Sequence, residues 1–322
     1  MKNSFRSLSQ LAFLVFFALI LTQCTVDKDS STDKQGAYSL NVKQQITNGP
    51  FDKYWYQGLA EITSFDLQQA RYGEIHPGHA VLVFVTEPFS KSKQVKLDNP
   101  QNNPKDEISV LKLNAMRKFN TGIYPYSTMQ SVFTPMDPNQ YPHTIKTTTS
   151  SQEWCGHTFQ QLNLEKNDYR STLNSYFESE GDEISKIKKA LLEDEIWNRI
   201  RINPNTLPTG NIELIPSSLF TRLKHTATKV ESAEASLVNN ENNATEMQYI
   251  IRYKNLNRTL SIQFEKEFPH HILGWEENYT SGWGTNAKTL STKATRKKTI
   301  QLDYWSKHNL ADQKYRTELG LD

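Results

Sequence analysis

Apolar residues in this chain change their spacing twice, and each spacing predicts a different element. Eleven of them run unbroken from Leu11 to Leu21. Residues 25–43 then hold little apolar content, so they cannot bury enough surface to offset the entropy of ordering. From about residue 45 onward β-branched and aromatic residues alternate with polar ones, a period of two that predicts strands. Ala80-Val81-Leu82-Val83-Phe84-Val85 is continuously apolar between Pro77-Gly78 and Pro88, which predicts a strand buried on both faces. Ile108 to Leu113 alternates around Ser109 and Lys112, and Ile300-Gln301-Leu302-Asp303-Tyr304 sets three apolar residues on one face. Tyr249–Tyr253 and Leu260–Phe264 flank Asn255-Leu256-Asn257 and read as a hairpin. Fainter runs occupy 59–67, 94–97, 123–133, 144–149, 155–164, 171–178, 212–215, 219–237 and 272–280.

One stretch departs from period two. Asp182 is placed to cap a helix carrying Ile184, Ile187, Leu191, Ile196 and Ile200 along one side, with Pro204 ending it. Leu207-Pro208-Thr209-Gly210 then returns the chain to strands. Many consecutive antiparallel strands leave edges that closure or near-closure removes. The fold class is therefore mainly β: a large antiparallel barrel or curved half-barrel with one amphipathic helix, the alternative being a β-sandwich. Residues 45–322 form a single β-rich domain in this account. No period of 20–50 residues repeats, which argues against a propeller or solenoid.

The opening run is too short to span a bilayer, which takes about 20 apolar residues. With Lys2 and Arg6 before it and Leu21-Thr22-Gln23-Cys24 after it, it has the layout of a secretory signal over residues 1–23. A cysteine directly after the apolar core resembles the lipobox of bacterial lipoproteins, although Gln23 stands where a small residue is usual. The resemblance implies that Cys24 takes a diacylglyceryl group and becomes the acylated new terminus. Residues 24–44 are then a lipidated flexible tether. Asp27 and Asp29 loosely resemble acidic sorting signals, and the expected place is the cell envelope, at the outer membrane facing the periplasm, with surface display as the alternative.

Export also changes the charge. The whole chain has 37 Lys+Arg and 35 Asp+Glu, and residues 1–23 hold two of the bases and none of the acids. The exported part is left with 35 of each, a formal charge of zero. Nothing in that balance favours nucleic acid, and the membrane is reached through the lipid anchor instead.

The sharpest chemical cluster is Glu153-Trp154-Cys155-Gly156-His157. On a strand Cys155 and His157 share a face, so a thiol activated by an imidazole is conceivable there. A cysteine with no partner outside the cytoplasm is more often a buried small hydrophobe, and Cys155 is assigned to packing. His76-Pro77-Gly78-His79 reads as a turn, and the adjacent His270 and His271 face opposite ways on a strand. Neither pair supplies the three or four ligands of a zinc site, and no metal or cofactor is implied. Glu178 to Glu183 is an acidic run at the expected helix start, which the helix dipole explains. Glu276 and Glu277 lack a recognisable partner for glycosidase chemistry. No Gly-rich phosphate loop, G-x-S-x-G or H-E-x-x-H occurs, so no catalytic residue is assigned. Tyr54-Trp55-Tyr56, Tyr124-Pro125-Tyr126, Trp275, Tyr279, Trp283 and Tyr304-Trp305 fit the core and rim of a β-structure, and secondarily a ligand cavity.

Several segments carry a wider resemblance: Tyr54-Trp55-Tyr56-Gln57-Gly58, Gln69-Ala70-Arg71-Tyr72-Gly73-Glu74, Lys118 to Ser127, Ser150 to His157 and Ser175 to Gly181. Through them the chain is similar to uncharacterised envelope lipoproteins of Gram-negative bacteria, some of them labelled septum formation inhibitor Maf. The Maf pyrophosphatases have a Ser-x-Ser phosphate motif after an N-terminal strand and an α/β fold; here an export signal and β patterning stand instead. Leu207-Pro208-Thr209-Gly210 and the later hairpin are also faintly similar in layout to half-barrel envelope proteins that hold acyl chains. The expectation is a non-enzymatic envelope lipoprotein that binds an apolar or amphiphilic ligand or serves envelope assembly. The alternatives are an interaction protein with a filled core, or a Cys/His or carboxylate hydrolase.

Overall fold

The computed structural model describes residues 49–241 and 243–322; the signal, Cys24 and the tether lie outside the described residues. After a short helix α1 (Pro50–Trp55), the period-two stretches become strands of one sheet. The first wing holds β1 (Ala60–Arg71), β2 (Glu74–Ser90), β3 (Glu107–Thr121), β4 (Tyr124–Pro135), β5 (Lys146–Glu153), β6 (Gly156–Leu164), β7 (Asp168–Ser175) and β8 (Glu183–Lys188). The second holds β9 (Leu191–Leu192), β10 (Gly210–Ile215), β11 (Glu231–Asn240), β12 (Asn243–Tyr253), β13 (Arg258–Glu265), β14 (Ile272–Ser281) and β15 (Lys288–Leu302). All pairs are antiparallel except β9 with β10. The order is β8-β7-β6-β5-β4-β3-β2-β1-β15-β14-β13-β12-β11-β10-β9, so the two wings join through β1 and β15, with Ala60 opposite Leu302.

The protein is mainly β, a single large curved sheet that hydrogen bonding does not close, and the sandwich alternative is excluded by there being one sheet. Curvature follows from connectivity. The outermost strands β8 and β9 are separated in the chain only by Lys189 and Ala190, so the sheet must curl until its edges nearly meet. Leu162, Tyr169 and Ile187 from one edge pack with Leu192 and Ile215 from the other in one buried cluster. Side chains and a covalent link, not a hydrogen-bond ladder, seal the seam.

The concave face carries the main core. Phe65, Leu82, Leu111 and Val132 from the first wing meet Tyr249, Ile251, Ile262 and Trp275 from the second. Two short helices, α2 (Ile196–Ile202) and α3 (Ser218–Lys224), fill the hollow, with Ile196, Trp197, Ile200, Leu219 and Leu223 in the same cluster. Trp197 meets Trp275 edge to face at 5.2 Å between ring centres, a favoured aromatic geometry. Ala80–Val85 is buried on both faces, as its composition predicts. Leu82 and Phe84 point to the core, while Val81, Val83 and Val85 pack outward under Leu319, which follows the C-terminal helix α4 (Lys314–Glu318). Wherever both faces are covered, no polar alternation is required.

Four expectations need correction. The long helix from Asp182 does not form: its first half is β8 and β9, and only Ile196–Ile202 is helical. Ile184 is exposed and Ile187 is buried in the seam, a strand's use of apolar residues three apart, because consecutive faces alternate. Residues 219–237 are not one strand but α3 followed by β11, and Ser217 caps that helix by accepting from the Leu219 amide. His76-Pro77-Gly78-His79 is no turn; it lies inside β2, where Pro77 sits opposite Gln68. Residues 94–97 give only an isolated bridge between Lys96 and Phe89.

Candidate functional site

Inside the curl the chain buries charge as well as hydrocarbon. Glu193, Asp194 and Glu195 form a single 3-10 turn directly before α2, and all three are at most 2% exposed. Ionised carboxylates in such a place need partners. Arg258 on β13 grips Glu193 with both terminal nitrogens (2.5 and 2.6 Å) and donates its Nε to Glu277 on β14 at 2.7 Å. The Tyr253 hydroxyl donates to the same Glu193 at 2.8 Å. Glu195 accepts from the Thr144 amide at 2.8 Å and faces Arg199 at 3.3 Å. Among the described residues Asp194 has no cation; it accepts from the Ser218 amide at 3.2 Å, and burial, helped by neighbouring Glu193, pushes its carboxyl up to about 6.

A second chain of polar groups runs outward from α2. Arg201, fully buried, forks onto Glu61 of β1 and lies over the rings of Trp55 and Phe84. Tyr54 donates to the same carboxylate. His271 sits 3.1 Å from the Tyr54 hydroxyl and 2.7 Å from Glu265, which also takes Arg296 at 2.9 Å. The two adjacent histidines do diverge: His270 instead meets the Glu265 carbonyl.

Between the first network and one end of the sheet lies a cavity of about 40 Å³, lined by Gln69, Arg71, Arg117, Gln130, Glu193, Trp197, Lys224, Arg258, Trp275, Glu277 and Trp283 among others. That is room for a few waters, far below the roughly 300–1,000 Å³ of ordinary small-molecule pockets. Its mouth is at the end where the hairpins β1–β2, β3–β4 and β5–β6 and the β14–β15 loop turn. Tyr72 and Gly73 make the first of these turns with φ of 55° and 81°, the paired left-handed conformation that two-residue hairpins favour. A side chain at Gly73 would collide with the Asn286 carbonyl, so the tight turn lets the β14–β15 loop pack close and hold Trp283 over Tyr72.

Around that mouth aromatic rings touch in series. Trp154 meets Tyr124, Tyr124 meets Tyr126, Tyr126 meets Tyr72, and Tyr72 meets Trp283. Trp283 continues to His225 and Phe177. Trp154, Tyr176, Trp283 and, at 81%, Ile123 are exposed. Of the remaining aromatics, Trp55, Trp275 and Tyr279 are core, and Tyr304 and Trp305 lie on the surface.

The sequence-derived candidates fare differently. Cys155 is exposed at the β5–β6 turn, so its assignment to packing is wrong: a two-residue turn gives it no core to enter. Its amide donates to Glu153 at 2.7 Å, and a hydrogen bond from the thiol to that carboxylate raises the thiol's pKa. A thiol held protonated is a poor nucleophile. His157 is the exposed second residue of β6, and among the described residues no hydrogen bond joins it to Cys155, whose thiol is set against the Glu153 carboxylate instead. The acidic run 178–183 is the end of the β7–β8 loop and the first residue of β8, not a helix start; Glu180 there pairs with Arg222 at 3.2 Å and His225 at 3.1 Å. Among the described residues no three His, Cys, Asp or Glu are disposed to hold a metal ion.

No known family, curated protein or solved structure matches this chain. The ionic interior and the aromatic mouth therefore have to be interpreted on their own chemistry. The mouth residues Arg71, Lys224 and Trp283 were not legible as a group, since 212 positions separate Arg71 from Trp283 and only the curled sheet with α3 inside it brings the three together.

Proposed function

We propose that this chain is a non-enzymatic, lipid-anchored protein of the bacterial envelope that serves envelope assembly through a binding surface at the aromatic end of its sheet. One observation carries the choice among binding modes: α2, α3 and their ion pairs occupy the hollow of the sheet, and the space beside Glu193, Trp197 and Arg258 is only about 40 Å³. An acyl chain seated there would displace Glu193, Arg258 or Trp197, breaking buried charge pairs at a cost of several kcal/mol. The aromatic mouth supports a surface mode, since exposed Trp and Tyr offer broad contact with few rotors to immobilise. The export layout of Lys2, Arg6, Leu11–Leu21 and Cys24 supports tethering at the outer membrane, facing the periplasm. No helix among the described residues is long and apolar enough to cross a membrane.

Mass spectrometry of lipids extracted with the purified domain (residues 45–322) tests the surface mode. The expected result is a preparation free of stoichiometric lipid, while the full chain takes a palmitate analogue and Cys24→Ser does not. A defined amphiphile recovered at about one per protein overturns the surface mode, and unlabelled wild type overturns the anchor.

A further inference from the structure

We infer that the cavity mouth binds an oxyanion-bearing sugar, its carboxylate or phosphate lying between Arg71 and Lys224 and its ring against Trp283. This rests on the aromatic end being the working surface and gives that surface a ligand class.

Charge is the first ground. The cavity wall carries Arg71, Arg117, Lys224 and Arg258 against only Glu193 and Glu277. Both carboxylates are committed, Glu193 to Arg258 and Glu277 to Arg258 and, at 3.8 Å, Arg117. Nearby Glu180 is held by Arg222 and His225. Among the described residues, Arg71 and Lys224 are left without a carboxylate. Two adjacent cations in a partly desolvated place repel one another unless an anion joins them.

Unused donors are the second ground. Arg71 is only 6% exposed. Its terminal nitrogens donate to the Leu223 carbonyl and to the hydroxyls of Tyr126 (3.2 Å) and Tyr72 (3.3 Å), and its Nε has no partner. Lys224 donates once, to the Thr280 carbonyl at 2.8 Å, which leaves two of its three N–H bonds. Burial, and Arg71 beside it, lower the lysine's pKa. The two unused guanidinium N–H groups, on Nε and Nη1, do not form a fork, and with the ammonium they suit an oxyanion met from one side.

The third ground is the flat wall. Both cations lie over the Trp283 ring, Arg71 at 5.4 Å and Lys224 at 5.7 Å, and that ring is 50% exposed. A cavity of about 40 Å³ admits an oxyanion and excludes its carrier, so the carrier stays outside on the indole face. Tyr72, held at φ 55° in the adjoining turn, keeps its ring against Trp283 and its hydroxyl on Arg71.

Titration of the folded domain with glucuronate, glucose 6-phosphate, glucose and inorganic phosphate, followed by tryptophan fluorescence, tests this. The expected outcome is a saturable change with glucuronate or glucose 6-phosphate, the stronger of the two identifying the oxyanion, and none with glucose. Lys224→Met should weaken binding about tenfold or more with unchanged melting, and Trp283→Phe should remove the signal. Lys188→Met, on the far wing and paired with Glu213, should bind like wild type. Failure of both charged sugars to saturate at about 10 mM, or a Lys224→Met variant that binds as well as wild type, overturns the site. Inorganic phosphate binding as tightly as glucose 6-phosphate overturns the contact with Trp283. The lipid-extraction result is independent of these outcomes, so either conclusion can fall alone.

Discussion

Asp194 contributes stability in mild acid that it withdraws toward neutral pH, and the effect can be isolated with one atom exchanged. Its carboxyl is buried, has no cation among the described residues, and stands at about 6 instead of its ordinary 3.8. Because the folded-state value is raised, the folded protein holds a proton that the unfolded chain has lost across that interval. Stability therefore falls as pH rises from about 3.8 to about 6 and stays lowered above it. At about 1.4 kcal/mol per tenfold change in proton affinity, the full penalty at pH 8 is about 3 kcal/mol. Asp194→Asn keeps an acceptor for the Ser218 amide and cannot ionise, so it escapes the penalty. Its new amide hydrogens face the Oδ1 position, which has no partner, and that cost is the same at every pH. Urea unfolding of wild type and variant at pH 4, 5, 6, 7 and 8 separates the two effects. The variant should gain on wild type by about 2.5 kcal/mol between pH 4 and pH 8, most of it by pH 7. A difference that stays flat across this range, or that runs the other way, refutes the assignment of a cation-free buried carboxylate.

Two further outcomes follow from the same interior and from the turn at its rim. Arg201→Met leaves Glu61 buried without its guanidinium and should cost about 3–5 kcal/mol, whereas Arg201→Met with Glu61→Leu should recover most of the loss; a double variant as unstable as the summed singles would show the pair is not coupled. Cys155, exposed and held protonated by Glu153, should label completely with a maleimide in the native protein, and Glu153→Gln should speed the reaction several-fold at pH 7 without changing stability. Equal rates in the two proteins would remove Glu153 as the cause.

Much of the sheet is legible in residue order because strands declare themselves locally. Ala80–Val85 announces burial on both faces, and the Asn255-Leu256-Asn257 hairpin joins β12 to β13 as its flanks predict. Where apolar residues are three or four apart the same logic misleads. Ile184, Ile187 and Leu191 satisfy a helical period, yet a strand edge followed by a chain crossing uses them equally well. The ionic interior was illegible for a different reason. Glu193-Asp194-Glu195 has the composition of a solvated face, and only the fold supplies Arg258, 65 residues away, to neutralise it. Glu61 and Arg201 are 140 positions apart. Such pairs are set by topology, which no local pattern encodes.

The seam between β8 and β9 gives the molecule the connectivity of a clasped bracelet. Its two arcs are riveted at one point by a single stretch of main chain, Lys189-Ala190, and hooked at the opposite point by the ladder between residues 60–68 and 293–302. A protease cut at the rivet therefore opens no arc: both pieces remain hooked, and the severed ends lie where hydrocarbon from either side still clusters. Two separately produced halves, meeting at residue 189, have in the hook and the shared interior the means to reassemble.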